Sequence, residues 1–512
     1  MKTDEFIERR IVTGLIVSTE YHQITSPFWN SQLLTSPTAR LMAGWCVEHF
    51  LKYHSAPGRD IEGIYTHRLK AGMDPDKAQD IESILSGLSE DFERGQFNAR
   101  YLADQTRVYF QEQHLKAFAD GIRAEVDDGN ITEAEQMATG YTSAVNQAHT
   151  AIDPFASAER IKRAFAEAST PLIRLPKALG EFMNSQLVRD GFVAFMGPEK
   201  RGKTFLLMEL SIRAMKSGCN VVFFQAGDMS EDQQLRRLCV YLAQRSDREL
   251  YCRGMFVPVL DCIHNQLDEC ERAERECAFG VFDSHEKDKL VNRKVTKEEL
   301  AERYKKYPDY KPCSMCDQLR GCPWVRWREP VKPLTWREAA KIAMDFRKRQ
   351  EKRFKLCTYP NETLSVGEIK NLLSIWERQE GFVADVIVVD YADIMAPDAD
   401  FKNLDFRNQI NKTWQRLRNL SQERHCLVIT ATQAAASCYS KDTIGKGDFS
   451  EDKRKYAHVT AMYGLNQTEE EKQIGIMRLN ELVVREGDFS TSNQIKVLQR
   501  LQIGRPVLGS YK

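Results

Sequence analysis

Across residues 1–105 apolar positions recur at helical spacing, turn signals such as SAPGRD (55–60) interrupt them, and no long β-branched run occurs. That pattern predicts a small all-α N-terminal domain. Between Thr106 and Asn130 the apolar positions Tyr109, Leu115, Phe118, Ile122 and Val126 fall mainly three and four apart; VDDGN stops the pattern and ITEAEQMATGYTSAV resumes it. A helical hairpin is expected there. NQAHTAIDPFAS (146–157) has few apolar positions in register and reads as a linker, followed by a short helix over 158–168. Residues 106–170 are therefore taken as hairpin and linker.

From residue 171 short apolar runs alternate with amphipathic stretches, the signature of an α/β domain on a mostly parallel sheet. GFVAFM (191–196), NVVFFQ (220–225), DVIVVD (385–390) and CLVITATQ (426–433) are the clearest strands of this domain, which spans 171–512. About 160 residues separate the second from the third, far more than a crossover needs. An insertion is expected over 252–330, a stretch that holds seven of the chain's 13 cysteines.

Length agrees with several domains, since the chain has 512 residues and single cores stop growing at roughly 250–300. Lysine plus arginine (73) balances aspartate plus glutamate (73), so only local basic segments can argue for nucleic acid. MKTDEFIERR lacks the apolar core of a secretion signal, and no apolar run approaches the ~20 residues of a membrane span. A cytoplasmic protein without membrane association is expected, in which clustered cysteines are metal ligands or buried thiols rather than disulfides.

GPEKRGKT, comprising Gly197, Pro198, Glu199, Lys200, Arg201, Gly202, Lys203 and Thr204, fits G-x-x-x-x-G-K-[ST]. In that pattern backbone N–H groups cradle phosphate oxygens, the lysine reaches the β and γ phosphates, and the hydroxyl ligates Mg²⁺. Its context argues against a chance match. The strand GFVAFM runs into the loop and the amphipathic TFLLMELSIRAMKSG leaves it, so free amides and the positive end of a helix dipole meet the anion.

Three further elements fit a nucleotide site. Asp390, after the apolar run of ADVIVVDYADIM, offers the carboxylate that Mg²⁺ requires; Asp393 competes for that role but reads more simply as a surface loop residue. In QAGDMSEDQQLRRL (225–238), Ser230 and Gln233 form a capping-box pattern and Asp228 falls on the turn before the helix. Its carboxylate either orients the attacking water or supports the turn. Gln433 ends the fourth strand, behind a helix with the apolar stripe Phe406, Ile410, Trp414, Leu417 and Leu420. A neutral donor there either senses a γ-phosphate or is an ordinary strand-end residue.

Taken in order, the phosphate loop, FFQAGDMSEDQQLRRL, VIVVDYADIM and the helix leading to VITATQ resemble the RecA-like motor domain of DnaB-type replicative DNA helicases over most of residues 171–512. The helical residues before it resemble the same family's N-terminal domain and linker more weakly. The resemblance implies a ring hexamer around one DNA strand, ATP and Mg²⁺ between neighbouring subunits, Gln433 as the γ-phosphate sensor and an arginine finger from the neighbour. Where the family usually has glutamate before Met-Ser, this chain has Asp228, one methylene shorter. VVREG (483–487) keeps Arg485 and Gly487 of the family's K-x-R-x-G-like stretch, with Val483 in place of lysine; a surface arginine is the plainer reading of Arg485. DNA contact would come from loops 397–409 and 440–455. The second carries Lys441, Lys446, Lys453, Arg454 and Lys455, a run that elsewhere is simply a solvated surface. The implied partners are single-stranded DNA at a replication fork, further copies of the chain, a helicase loader and a separate primase.

In the insertion only Cys313 and Cys316 have a strong ligand spacing, C-x2-C. Cys262 and Cys270 are the preferred second pair for a structural Zn²⁺ in a zinc-ribbon-like fold, with Cys277, Cys322 and His264 as substitutes. Such a zinc would let a small insertion fold without a core of its own; free buried thiols are the alternative. Insertions of this kind resemble those of phage-type family members, so a phage or prophage origin is expected. The leading reading is an ATP-dependent replicative helicase that hydrolyses ATP to ADP and phosphate while translocating on single-stranded DNA and unwinding duplex. A RecA-like recombinase or regulatory ATPase, and an ATP-assembled DNA-binding scaffold without unwinding activity, stay open beside it.

Overall fold

The computed structural model describes residues 3–512 apart from 71, 93–97, 131–133, 135–169, 228, 273, 293, 316–320, 351–352, 436–437, 439–440, 446, 450–451, 486 and 488–489. The chain divides into two compact units, Met1–Ala168 and Ser169–Lys512.

The first unit is helical wherever it has regular structure among the described residues. Ser18, Ser36 and Asn98 start three of its helices by accepting the N–H groups of Tyr21, Ala39 and Tyr101, which satisfies donors that a first helical turn leaves open. Ile11, Leu15, Met42, Trp45, Leu102 and Phe110 lie in its core. Glu8 is buried there as well, accepting from the Thr35 hydroxyl at 2.9 Å, the Ser36 N–H at 2.9 Å and the Tyr109 hydroxyl. The helix Ala99–Asp127 runs straight through residue 105, where the apolar pattern put a boundary. Leu102, Tyr109 and Phe110 all belong to one core, so the chain has no reason to break between them. Apart from Ala134, the second arm of the expected hairpin, the linker and the 158–168 helix lie outside the described residues.

The second unit contains strands β1 (Phe192–Gly197), β2 (Val221–Gln225), β3 (Met255–Cys262), β4 (Gly321–Arg328), β5 (Phe354–Thr358), β6 (Val386–Asp390), β7 (Leu427–Gln433), β8 (Ala461–Asn466), β9 (Ile476–Val484), β10 (Gln494–Arg500) and β11 (Arg505–Tyr511). Nine of them form one sheet in the order β11-β10-β9-β8-β1-β7-β6-β2-β5. It is mostly parallel: β8, β1, β7, β6, β2 and β5 run together, and β9 to β11 add an antiparallel edge. This is the α/β architecture expected of a RecA-like phosphate-loop domain. Every residue of β1, β2 and β6 is buried, which is why those strands read as unbroken apolar runs. The helix Lys203–Lys216 packs on one face through Leu206, Leu207 and Leu210. Helices Val366–Glu380 and Phe406–Glu423 cover the other through Ile369, Leu373, Trp414 and Leu417. β5 is absent from the strands expected above because it is a half-buried edge with the mixed sequence FKLCT, which carries neither a continuous apolar run nor clean alternation.

The insertion, expected to be zinc-ribbon-like, is built on a β-hairpin of its own. β3 and β4 form a separate two-stranded antiparallel sheet with Met255 opposite Arg328 and Cys262 opposite Gly321. Short helices fill the connection, and Leu267, Phe282, Leu300, Tyr310 and Trp324 share an apolar core with Ile476, Leu498 and Tyr511 of the main domain. A Cβ at Gly321 would sit 2.3 Å from the Tyr511 Cβ, so only glycine permits this close approach. The premise that the insertion lacks a core is corrected, because Tyr310 and Trp324, with ring centroids 5.0 Å apart, are both buried in one. Among the described residues no helix is long and apolar enough to cross a membrane.

Candidate functional site at the phosphate edge of the sheet

Register decides what meets what. Ala194, Thr430, Val389 and Phe224 form one row across β1, β7, β6 and β2. Asp390 and Gln225 lie one residue further along, and Gly197 pairs with Gln433 beyond them. The carboxyl ends of four adjacent parallel strands thus share one edge, where β1 sends its chain into a helix on one face and its neighbour β7 follows a helix on the other. Open α/β sheets bind ligands at such an edge.

The phosphate loop joins β1 to the helix Lys203–Lys216. Gly202 caps the helix with φ 85°, a left-handed conformation that glycine adopts without strain. Lys203 is buried, and its Nζ donates to the Gly197 and Pro198 carbonyls at 2.9 Å each. The ammonium therefore lies over its own loop, beside the N–H groups that a helix start leaves open. Thr204 follows in the first helical turn, Glu199 and Lys200 are exposed, and Arg201 is half-buried. This donor set suits an anionic phosphate chain, and Thr204 and Asp390 carry hard oxygen donors of the kind Mg²⁺ takes.

Asp390 closes β6, buried, and its carbonyl accepts from Ala226 N–H at 2.9 Å and Gln225 Nε2 at 3.2 Å. Gln433 Nε2 donates to the Tyr391 hydroxyl at 2.9 Å. Asp393 is not the surface loop residue expected of it. Its side chain is 9% exposed and pairs with Lys455, which is 0% exposed, at 2.9 Å. It also accepts from Trp414 Nε1 at 3.2 Å, Thr432 Oγ1 at 2.6 Å and the Gln433 N–H at 3.3 Å. A carboxylate so satisfied holds the end of β7 in place and is not offered to a metal.

Lys455 corrects a second expectation, that the basic run of 440–455 faces DNA or solvent throughout. Its Nζ also donates to Thr432 Oγ1 at 3.1 Å. Lys441 is paired with Asp448, and Arg454 with Asp452 at 2.8 Å. Lys453 is exposed, and Lys446 lies outside the described residues. Of the expected run, then, one cation is interior and two are neutralised by aspartates. In the other loop, 397–409, Lys402 and Arg407 are exposed.

Asp228 also lies outside the described residues; beside it, Ser230 and Gln233 make the expected capping box. Arg485 follows β9, exposed, with its guanidinium donating to the Ala457 carbonyl. Its N–H meets the Thr460 carbonyl at 2.9 Å, and Thr460 N–H meets the Phe192 carbonyl at 2.7 Å. Arg485 is therefore level with the first residue of β1, whereas Gly197 is the last. Five residues at about 3.3 Å put roughly 16 Å between the two ends of that strand, so Arg485 lies at the edge opposite its own phosphate loop.

In the insertion, Cys262, Cys277, Cys313 and Cys322 are buried, Cys270 and His264 are half-exposed, and Cys316 lies outside the described residues. Burial, with Asp261 and Cys262 nearby, raises the Cys322 thiol well above its usual range. Asp261 organises the region, accepting from Cys262 N–H at 2.7 Å, Cys313 N–H at 2.8 Å and the Tyr310 hydroxyl at 2.8 Å. Among the described residues no three cysteine sulfurs come within one ion's reach; the group of three that does is Asp283, His285 and Glu286. There Glu286 caps the Asp283 N–H and pairs with Arg303 at 2.7 Å, an ordinary helix start. The described donors thus do not fit zinc by themselves.

Sequence reasoning missed Tyr391 and the true settings of Asp393 and Lys455. The repeated carboxylate of DYAD was a visible signal for Asp393, whereas nothing in the charge run distinguished Lys455 from its neighbours.

No protein-family profile matches the chain, and no curated protein matches it in sequence. Among solved structures it is similar to one described as an ATPase domain, at 12% identity and TM-score 0.44, covering 68% of this chain and 96% of that one. It is also similar to a structure of a DnaB-like replicative helicase and its interactions with primase, at 12% identity and TM-score 0.43, covering 98% of each chain.

Proposed function

We propose that this chain is an ATP-dependent replicative DNA helicase that forms a ring hexamer, translocates on single-stranded DNA and unwinds duplex. The observation that carries the nucleotide half of this reading is the pairing of Gly197 with Gln433 at one sheet edge, with Asp390 two rows behind. Lys203 and the loop amides bind the β and γ phosphates, Thr204 and Asp390 serve Mg²⁺, and Gln433 contacts the γ-phosphate. Asp228 positions the attacking water. Arg485 completes the site of a neighbouring copy, a role supported by its distance from its own phosphate loop. The DNA half rests on the ordered motifs of residues 171–512, with Lys402, Arg407 and Lys453 as exposed cations for the strand. A loader and a separate primase are the expected partners, and the source is phage or prophage.

A forked duplex with one labelled strand tests the whole reading. The purified protein with ATP and Mg²⁺ is expected to release that strand, and to release none with ADP. ATP hydrolysis stimulated by single-stranded DNA without strand release would instead favour the recombinase or scaffold.

For the insertion, zinc remains a proposal that needs Cys316 beside Cys313, with Cys262 and Cys270 as the second pair and Cys277 or Cys322 as substitutes. Metal analysis is expected to find about one zinc per chain, the content of a single four-cysteine site, and less in Cys313→Ser. A metal-free, folded wild-type protein refutes it.

A further inference from the structure

Asp393 and Lys455 bury an ion pair at 2.9 Å, and the positions they join are informative. On one side Asp393 accepts from the backbone N–H of Gln433 and from the hydroxyl of Thr432, the last two residues of β7. On the other, Lys455 is the middle residue of the turn Lys453–Ala457. That turn ends on the carbonyl that receives the Arg485 guanidinium. The Lys455 Nζ lies 5.7 Å from the Trp414 ring centroid, and Trp414 itself donates to Asp393 and packs on Phe192 with centroids 5.4 Å apart. Polar contacts joined by the turn Lys453–Ala457 therefore cross one face of the sheet, from the phosphate edge at Gln433 to the opposite edge at Arg485.

We infer that Asp393 and Lys455 are positioning residues that couple the nucleotide state sensed at Gln433 to the placement of Arg485. This rests on the proposed roles of Gln433 and Arg485 and goes beyond them, because it makes one subunit's own nucleotide set the arginine it presents to the next site. The element with two arrangements is the end of β7. The Gln433 amide donates to Tyr391; when a γ-phosphate binds, the amide turns to the phosphate oxygen, and the N–H that Asp393 holds moves with it. Asp393 cannot follow without Lys455, since separating them would leave two uncompensated buried charges. The turn, and with it the carbonyl that holds Arg485, shifts accordingly. Coupling of this kind needs a demonstrated dependence of one end on the other and not contiguity alone.

Hydrogen exchange on the full chain supplies that demonstration. With Mg²⁺ and a non-hydrolysable ATP analogue, exchange over residues 453–460 is expected to differ at least about fivefold from that with ADP, the lower end of ordinary allosteric coupling. In the double variant Asp393→Asn/Lys455→Met, which removes both charges together, the analogue still protects residues 197–204 while the difference over 453–460 disappears. A purely structural pair would leave that difference intact in the folded double variant, and this result overturns the inference. So does a wild-type chain whose phosphate loop is protected while 453–460 does not respond. If the phosphate loop itself is not protected, the nucleotide reading has failed and the coupling falls with it. Should the double variant not fold, Thr432→Val, which keeps the shape and the ion pair but removes the hydroxyl between them, is expected to reduce the difference by more than half; an undiminished difference overturns the inference.

Discussion

Lys203→Ala is expected to lower ATP turnover by at least about 10²–10³-fold, the cost of removing one preorganised donor from a developing charge. The fold should survive. Alanine is the best helix former, the position opens a helix, and the bonds lost include those to the Gly197 and Pro198 carbonyls of the neighbouring loop. Steady-state phosphate release from wild type and variant, with matched far-ultraviolet circular dichroism, separates lost chemistry from lost structure. Turnover within about tenfold of wild type would sink the assignment of this loop, since a tenfold change is only about 1.4 kcal/mol.

The second large effect is on stability. Lys455→Met is expected to destabilise the Ser169–Lys512 unit by about 3–5 kcal/mol, because it strands the Asp393 carboxylate in the interior. Lys455 is 0% exposed and Asp393 9%, so solvent cannot take over the lost charge. Replacing both partners, as Asp393→Asn/Lys455→Met, should recover much of that loss, since a buried pair is often no better than neutral side chains of similar size. Calorimetry on the three proteins reads the result as the Tm of the larger unit. A single variant that melts with the wild type would mean that Asp393 is not held as an ion in the interior.

The phosphate loop was legible because its chemistry is local. Eight consecutive residues, a buried strand before them and an amphipathic helix after them specify one backbone shape. The strands β1, β2, β6 and β7 were legible for a related reason, since a strand buried on both faces is apolar over most of its length. Signals weakened wherever an element keeps one side polar, as in β5, or wherever a residue's setting depends on distant chain. Asp393 and Lys455 are 62 residues apart in the sequence, and each by itself looks like one more surface charge.

The amino-acid sequence by itself determined the phosphate loop, the strand ends that carry Asp390 and Gln433, and the α/β class, because hydrophobic period and loop chemistry act over a few residues. Tertiary structure alone decided that Gly197 and Gln433 stand side by side, since strand order and register arise from packing across hundreds of residues. The same packing gave the insertion an apolar core shared with β9, β10 and β11, where the cysteine spacing pointed to a metal. It also turned a basic residue inward, because a lysine's role is set by what surrounds its ammonium, and for Lys455 that is Asp393, Thr432 and Trp414.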